Sequence, residues 1–172
     1  MTDRQHNAHR HTCGHPGPGE KTIMDMALDP FERDALTLMR QIFVAMDRTG
    51  STTSPQAAFL AETLFPPDTA VDLHMALTRL VVAMAQGRSE PFRYSNPQCL
   101  NCSQVLTVAE RLLSETLHHT RRNRHGHAIV AASLLCDRQP AEVLVAAARQ
   151  VAMLSPVSPD PAKAEPTVLR FL

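Results

Sequence analysis

Cys99 and Cys102 stand in the stretch Asn96-Pro97-Gln98-Cys99-Leu100-Asn101-Cys102 and form the one Cys-x-x-Cys pair of this chain. Two chemistries use that spacing. One is a structural zinc, which needs two further Cys or His ligands because such sites are four-coordinate. The other is a dithiol/disulfide couple, whose second thiol is activated where it opens a helix and meets unpaired N–H groups and the positive dipole end. For zinc, the third and fourth ligands must come from elsewhere. His118 and His119 lie about 16 residues beyond Cys102, roughly 24 Å up a straight helix, and Cys136 is expected opposite that helix's middle. Cys13 and His15, on an N-terminal arm that also carries His6, His9 and His11, complete a Cys3His set if the arm folds over the pair. Imidazole and thiolate together suit zinc and other transition metals.

A second constellation is basic: His118-His119-Thr120-Arg121-Arg122-Asn123-Arg124-His125-Gly126-His127. Arg121, Arg122 and Arg124 could contact a phosphate or nucleic acid, with the histidines adding charge near pH 6. The simpler reading is a solvated helix terminus whose cations complement the negative dipole end. His125 and His127 could also make a surface metal site shared between subunits. Sequence-specific DNA reading is not expected, because Ala141 to Arg149 offers only Glu142 and Arg149, with Gln150 beyond, as polar groups for base edges.

No glycine-rich phosphate loop, Gly-x-Ser-x-Gly or His-Glu-x-x-His occurs. The carboxylates fall at helix caps or on outer faces, so no acid/base pair stands out. A binding role is expected ahead of a catalytic one. Acidic and basic residues balance at 17 each, so no global field attracts nucleic acid or membrane. No apolar run approaches the roughly 20 residues of a membrane span, and the polar N-terminus lacks a signal-peptide core, so the expected address is cytoplasmic. Four cysteines are too few for a secreted disulfide framework.

These groups must be positioned by helices. Aromatics are 4% of the chain, with no Trp, so the core has to be Leu, Ala, Val and Met, a palette that favours helix over sheet. Asp29-Pro30 and Ser54-Pro55 are cap-then-proline starts, and Gly50 and Pro66-Pro67 are stops. Apolar stripes at helical spacing predict helices near 30–48, 55–65, 69–86, 102–121, 127–136 and 140–154. The third is apolar nearly all round and is expected at the core's centre, with His74 buried beside a local hydrogen-bond partner. Gly87 is expected to close it. The last two are rich in Ala and Val, which fits a helix–helix dimer surface as well as it fits core.

With no period-two alternation, the fold class is all-α: a single compact bundle of five or six helices. Residues 1–28 are expected to be a flexible His-rich arm, 29–154 the helical domain, and 155–172 an extended Pro-rich tail whose Val168-Leu169-Arg170-Phe171-Leu172 could dock. A Cys-x-x-Cys opening a helix in an all-α bundle is similar to the alkyl hydroperoxidase D family, in that motif alone. The resemblance implies thiol chemistry at Cys99 and Cys102. That family carries a His four residues after its second Cys, where this chain has Leu106, so its proton relay is not implied.

The expectation is thus a small cytoplasmic helical binding or regulatory protein, with zinc or another transition metal at the Cys-x-x-Cys loop and a protein partner or second copy. The alternatives are a thiol-disulfide oxidoreductase using Cys99 and Cys102, and a phosphate or nucleic-acid binder using the Arg121 to Arg124 hook.

Overall fold

The computed structural model describes residues 20–157. Cys13, His15 and the Val168 to Leu172 segment lie outside the described residues. Six helices form one bundle: α1 (Pro30–Thr49), α2 (Pro55–Leu64), α3 (Ala70–Gln86), α4 (Val108–Arg121), α5 (His125–Leu135) and α6 (Ala141–Leu154). A two-residue strand β1 (Lys21–Thr22) pairs antiparallel with β2 (Val105–Leu106), Lys21 opposite Leu106 and Thr22 opposite Val105.

Local chemistry explains most of the boundaries. The Asp29 side chain accepts from the Glu32 N–H at 2.9 Å, and the Glu32 carboxylate accepts from the Asp29 N–H at 3.1 Å, a reciprocal box around Pro30. Gly50 ends α1 at φ 68°, a left-handed conformation that glycine adopts without strain. The Ser54 hydroxyl caps α2 through the Ala57 N–H.

The fourth helix departs from its expected start near 102. Thr107 and Glu110 form a second capping box, with bonds of 2.9 and 3.1 Å, and α4 begins only at Val108. Residues 102–106 are instead a single 3-10 turn, Cys102–Gln104, followed by β2. Val105 and Leu106 fit an apolar helical stripe by spacing, but their backbone pairs with residues 21 and 22, and Leu106 is fully buried.

The core is aliphatic: Leu36, Leu38, Met39, Ile42, Leu73, Leu77, Leu80, Met84, Leu113, Leu117 and Leu144 are all essentially inaccessible. Each such side chain contributes about 1.5–3 kcal/mol by leaving water. α3 touches α1, α2 and α6, while α4 packs on α5 and α6. α3 is not enclosed on every side, because its apolar Val71 and Met75 face solvent. The centre is therefore shared by α1, α3, α4 and α6. His74 is half-buried on α3, and its Nε2 has no partner among the described residues, contrary to expectation. Burial lowers its pKa. On α5 and α6 most of the Ala and Val side chains enter the core, while Val130, Leu134, Val143, Ala146 and Met153 are exposed.

Gly87 closes α3 as expected, and it does so without a left-handed backbone. Its φ is −77°, an ordinary right-handed value. What it needs is space: an added Cβ would lie 2.7 Å from Cys136 Sγ, and its carbonyl accepts the Asp137 and Arg138 N–H groups at 2.9 Å each. Gly87→Ala is expected to cost about 1–3 kcal/mol by overpacking, with most of the loss recovered in Gly87→Ala/Cys136→Ala. Urea unfolding checks this; a single variant as stable as the parent would refute the close approach.

Candidate functional site

The two cysteines sit in a compact turn at the head of the α1–α4 seam. The Asn96 side chain accepts the Gln98 N–H at 2.9 Å, and the Asn96 carbonyl accepts the Cys99 N–H at 3.3 Å. The Cys99 carbonyl then takes the Ser103 N–H at 2.8 Å, and the Ser103 hydroxyl donates to the Leu100 carbonyl at 2.9 Å. The Cys102 N–H donates to Cys99 Sγ at 3.4 Å, holding the first sulfur over the backbone of the second cysteine. Both cysteines are half-buried.

Because α4 starts at Val108, Cys102 does not open it, and the expected activation by that helix's N-terminus does not apply. The likeness to a family defined by a Cys-x-x-Cys opening a helix loses its structural basis for the same reason.

Beneath the loop lies a buried ion pair that the sequence reading missed. Arg40, on α1, is 3% exposed, and Glu110, on α4, is fully buried. Arg40 Nε meets Glu110 Oε1 at 2.6 Å and Nη2 meets Oε2 at 3.2 Å. The same guanidinium donates from Nη1 to the Ser103 carbonyl at 2.5 Å and from Nη2 to the Val105 carbonyl at 2.7 Å. Glu110 also accepts the Ser95 N–H at 3.2 Å and the Thr107 N–H at 2.9 Å. Upstream, the Phe43 ring packs on Phe92 at 4.3 Å and Tyr94 at 5.6 Å between centroids. Two local signals pointed here: Arg40 falls on the buried stripe of α1 beside Leu36, Met39 and Phe43, and Glu110 is the third residue after a capping threonine.

At the other end of the same seam, the basic hook meets an acid from its own chain. Arg121 Nη1 bonds Asp29 at 2.6 Å and Glu32 at 2.8 Å, Arg122 reaches both carboxylates, and His118 Nδ1 lies 2.9 Å from Glu32. Arg121 also donates to the Ser155 carbonyl at 3.0 Å and stacks over the Phe31 ring at 4.4 Å. Burial would raise the Glu32 pKa, but hydrogen bonds from His118, Arg122 and the Asp29 N–H, with the His118 charge, outweigh it and hold the carboxyl at about 2.

Arg121, read from sequence as a solvated contact for an external anion, is therefore buried with internal carboxylates. Arg122 is partly buried against the same pair, and of the three only Arg124 is exposed. His119 lies edge-on to His118 at 5.2 Å and beside His127 at 5.1 Å. Its pKa is lowered by burial first, then by the charges of His118, His127 and Arg124.

An open groove of about 490 Å³ borders the thiol loop, lined by Gln41, Pro55, Gln56, Phe59, Leu60 and Gln98. Among the described residues, no three His, Cys, Asp or Glu side chains converge on a metal position, and no helix is long and apolar enough to cross a membrane. Of the four expected zinc ligands, the structure describes Cys99 and Cys102. No protein-family model, curated protein or solved structure matches the chain.

Proposed function

We propose that this chain is a helical binding protein that holds zinc on Cys99, Cys102, Cys13 and His15, the metal drawing the N-terminal arm over the thiol loop. The supporting observation is the β1–β2 pairing, which ties Lys21 against Leu106, four positions after Cys102. His15 precedes Lys21 by six residues and Cys13 by eight. At ~3.3 Å per residue these reach up to roughly 20 and 26 Å from the tether, while Leu106 to Cys102 spans at most roughly 13 Å. Both donors can therefore reach the pair, and Pro16-Gly17-Pro18-Gly19 supplies turn-forming residues between them and the tether. Cys3His is a common structural zinc set. A reducing compartment such as the cytoplasm keeps the thiols available.

Binding would order the arm next to the groove and the exposed Leu100 and Phe59, so metal occupancy would alter the surface offered to a protein partner. Anion binding through the hook is the weaker reading, since Arg121 and Arg122 already neutralise Asp29 and Glu32.

Elemental analysis of the untagged full-length chain is expected to give one zinc per chain, with chelation lowering Tm by at least ~5 °C. Cys13→Ser and His15→Ala are each expected to lower occupancy. Less than ~0.2 equivalents of metal, with Tm unmoved by chelator, would end the proposal, because a structural site contributes folding energy.

A further inference from the structure

We propose that the buried Arg40–Glu110 pair is the positioning device of the thiol loop, setting where Cys99 and Cys102 stand on the bundle by gripping the backbone on both sides of them. The inference rests on reading those cysteines as metal ligands.

The turn bonds among residues 96–104 shape the loop internally; the ion pair fixes that shape to α1 and α4. On the upstream side, the Ser95 N–H donates to Glu110. On the downstream side, the Ser103 and Val105 carbonyls accept from Arg40. One guanidinium thus makes four bonds of 2.5–3.2 Å, two to a carboxylate and two to carbonyls. A lysine ammonium lacks the planar fork that serves these acceptors together.

The opposite end of the seam provides the comparison. There, too, the third residue of a capping box, Glu32, is buried against arginines of the other helix. The two clasps are reciprocal: α1 supplies arginine to α4's box, and α4 supplies arginine to α1's box. Only the Arg40–Glu110 clasp also holds the backbone flanking the cysteines. Outer groups that orient metal ligands in this way commonly change affinity by 10–100-fold when removed.

The test uses the full-length chain carrying Arg40→Lys or Glu110→Gln, with Glu32→Gln as the control for lost stability at the same helix pair. Zinc affinity is measured by competition with a chromophoric chelator, and loop order by amide hydrogen exchange over residues 96–104. Arg40→Lys and Glu110→Gln are each expected to weaken zinc about 10–100-fold and to speed loop exchange at least ~10-fold, while Glu32→Gln leaves both within about twofold despite a lower unfolding midpoint. Effects that merely follow the unfolding midpoint across all three variants, or an unchanged loop in Arg40→Lys and Glu110→Gln, would overturn the proposal. Should the parent chain bind no zinc, the metal reading fails, and loop exchange alone decides the positioning role. If Glu110→Gln does not fold, Arg40→Lys, which keeps the cation beside Glu110, carries the comparison.

Discussion

Glu110→Ala is expected to lower the unfolding free energy by about 3–5 kcal/mol, while the double replacement Arg40→Met/Glu110→Leu stays within about 2 kcal/mol of the parent. The asymmetry follows from where the charges sit. Glu110 is fully buried and Arg40 nearly so, and the carboxylate is the only charge-compensating partner the guanidinium has among the described residues. Removing it leaves a cation in the interior with two carbonyls to serve its N–H groups, and also removes the acceptors of the Ser95 and Thr107 N–H groups. Removing both charges eliminates the desolvation cost and fills the space with apolar atoms among Leu36, Met39 and Phe43, which offsets most of the cost of the four backbone groups that lose these partners. A double-mutant cycle by urea unfolding isolates the coupling. A Glu110→Ala penalty below ~1 kcal/mol would mean that water or a side-chain rearrangement rescues Arg40, and that the pair is not the closed network described. The double variant should nonetheless have a loose thiol loop, separating stability from positioning.

The parts of this fold that were legible in sequence are those whose cause lies within a few residues. Asp29-Pro30, Ser54-Pro55 and Gly50 mark helix ends through their own backbone preferences, and α1, α2 and α3 lie within about a residue of where those signals put them. The aliphatic stripes fixed the class as all-α for the same local reason. The errors come from partners distant in sequence. The Thr107 cap leaves Val105-Leu106 outside the helix, but what makes it a strand is Lys21-Thr22, 83 to 85 positions earlier. Arg121 looks solvated in its own neighbourhood, because the acids that bury it, Asp29 and Glu32, are 92 and 89 positions away. Gly87 looks like a backbone cap until Cys136 is placed against it. Thr107-x-x-Glu110 is the instructive case, a local signal obscured by an apolar stripe that ran through it. Of the candidate site, the Cys pair was visible, but the groups that hold it, Arg40 and Glu110, are joined only by folding.

Acid unfolding is expected to proceed in two steps, the larger of them belonging to Glu32. Its carboxyl is held at about 2 against an ordinary value of 4.5, and a shift of that size corresponds to about 3 kcal/mol of linked stability. The sign is that of a depressed acid. The unfolded chain takes up the proton first, so the contribution is complete above pH 4.5 and is lost as pH falls towards 2. The earlier, smaller step has the same sign but a different origin. His119 and His74 are held below the ordinary imidazole value by burial, His119 further by His118, His127 and Arg124. The unfolded chain therefore gains protons from about pH 6.5 downward that the folded chain resists. Urea midpoints measured from pH 7.5 to 2.5 should show both steps. The stability difference between the parent and Glu32→Gln should be constant above about pH 5 and then shrink by about 3 kcal/mol towards pH 2. A difference that stays constant through that interval would show that Glu32 titrates normally. The Arg121, Arg122 and His118 contacts would then not stabilise its charge, and the α1–α4 seam would have to be held at that end by Phe31 and its neighbours alone.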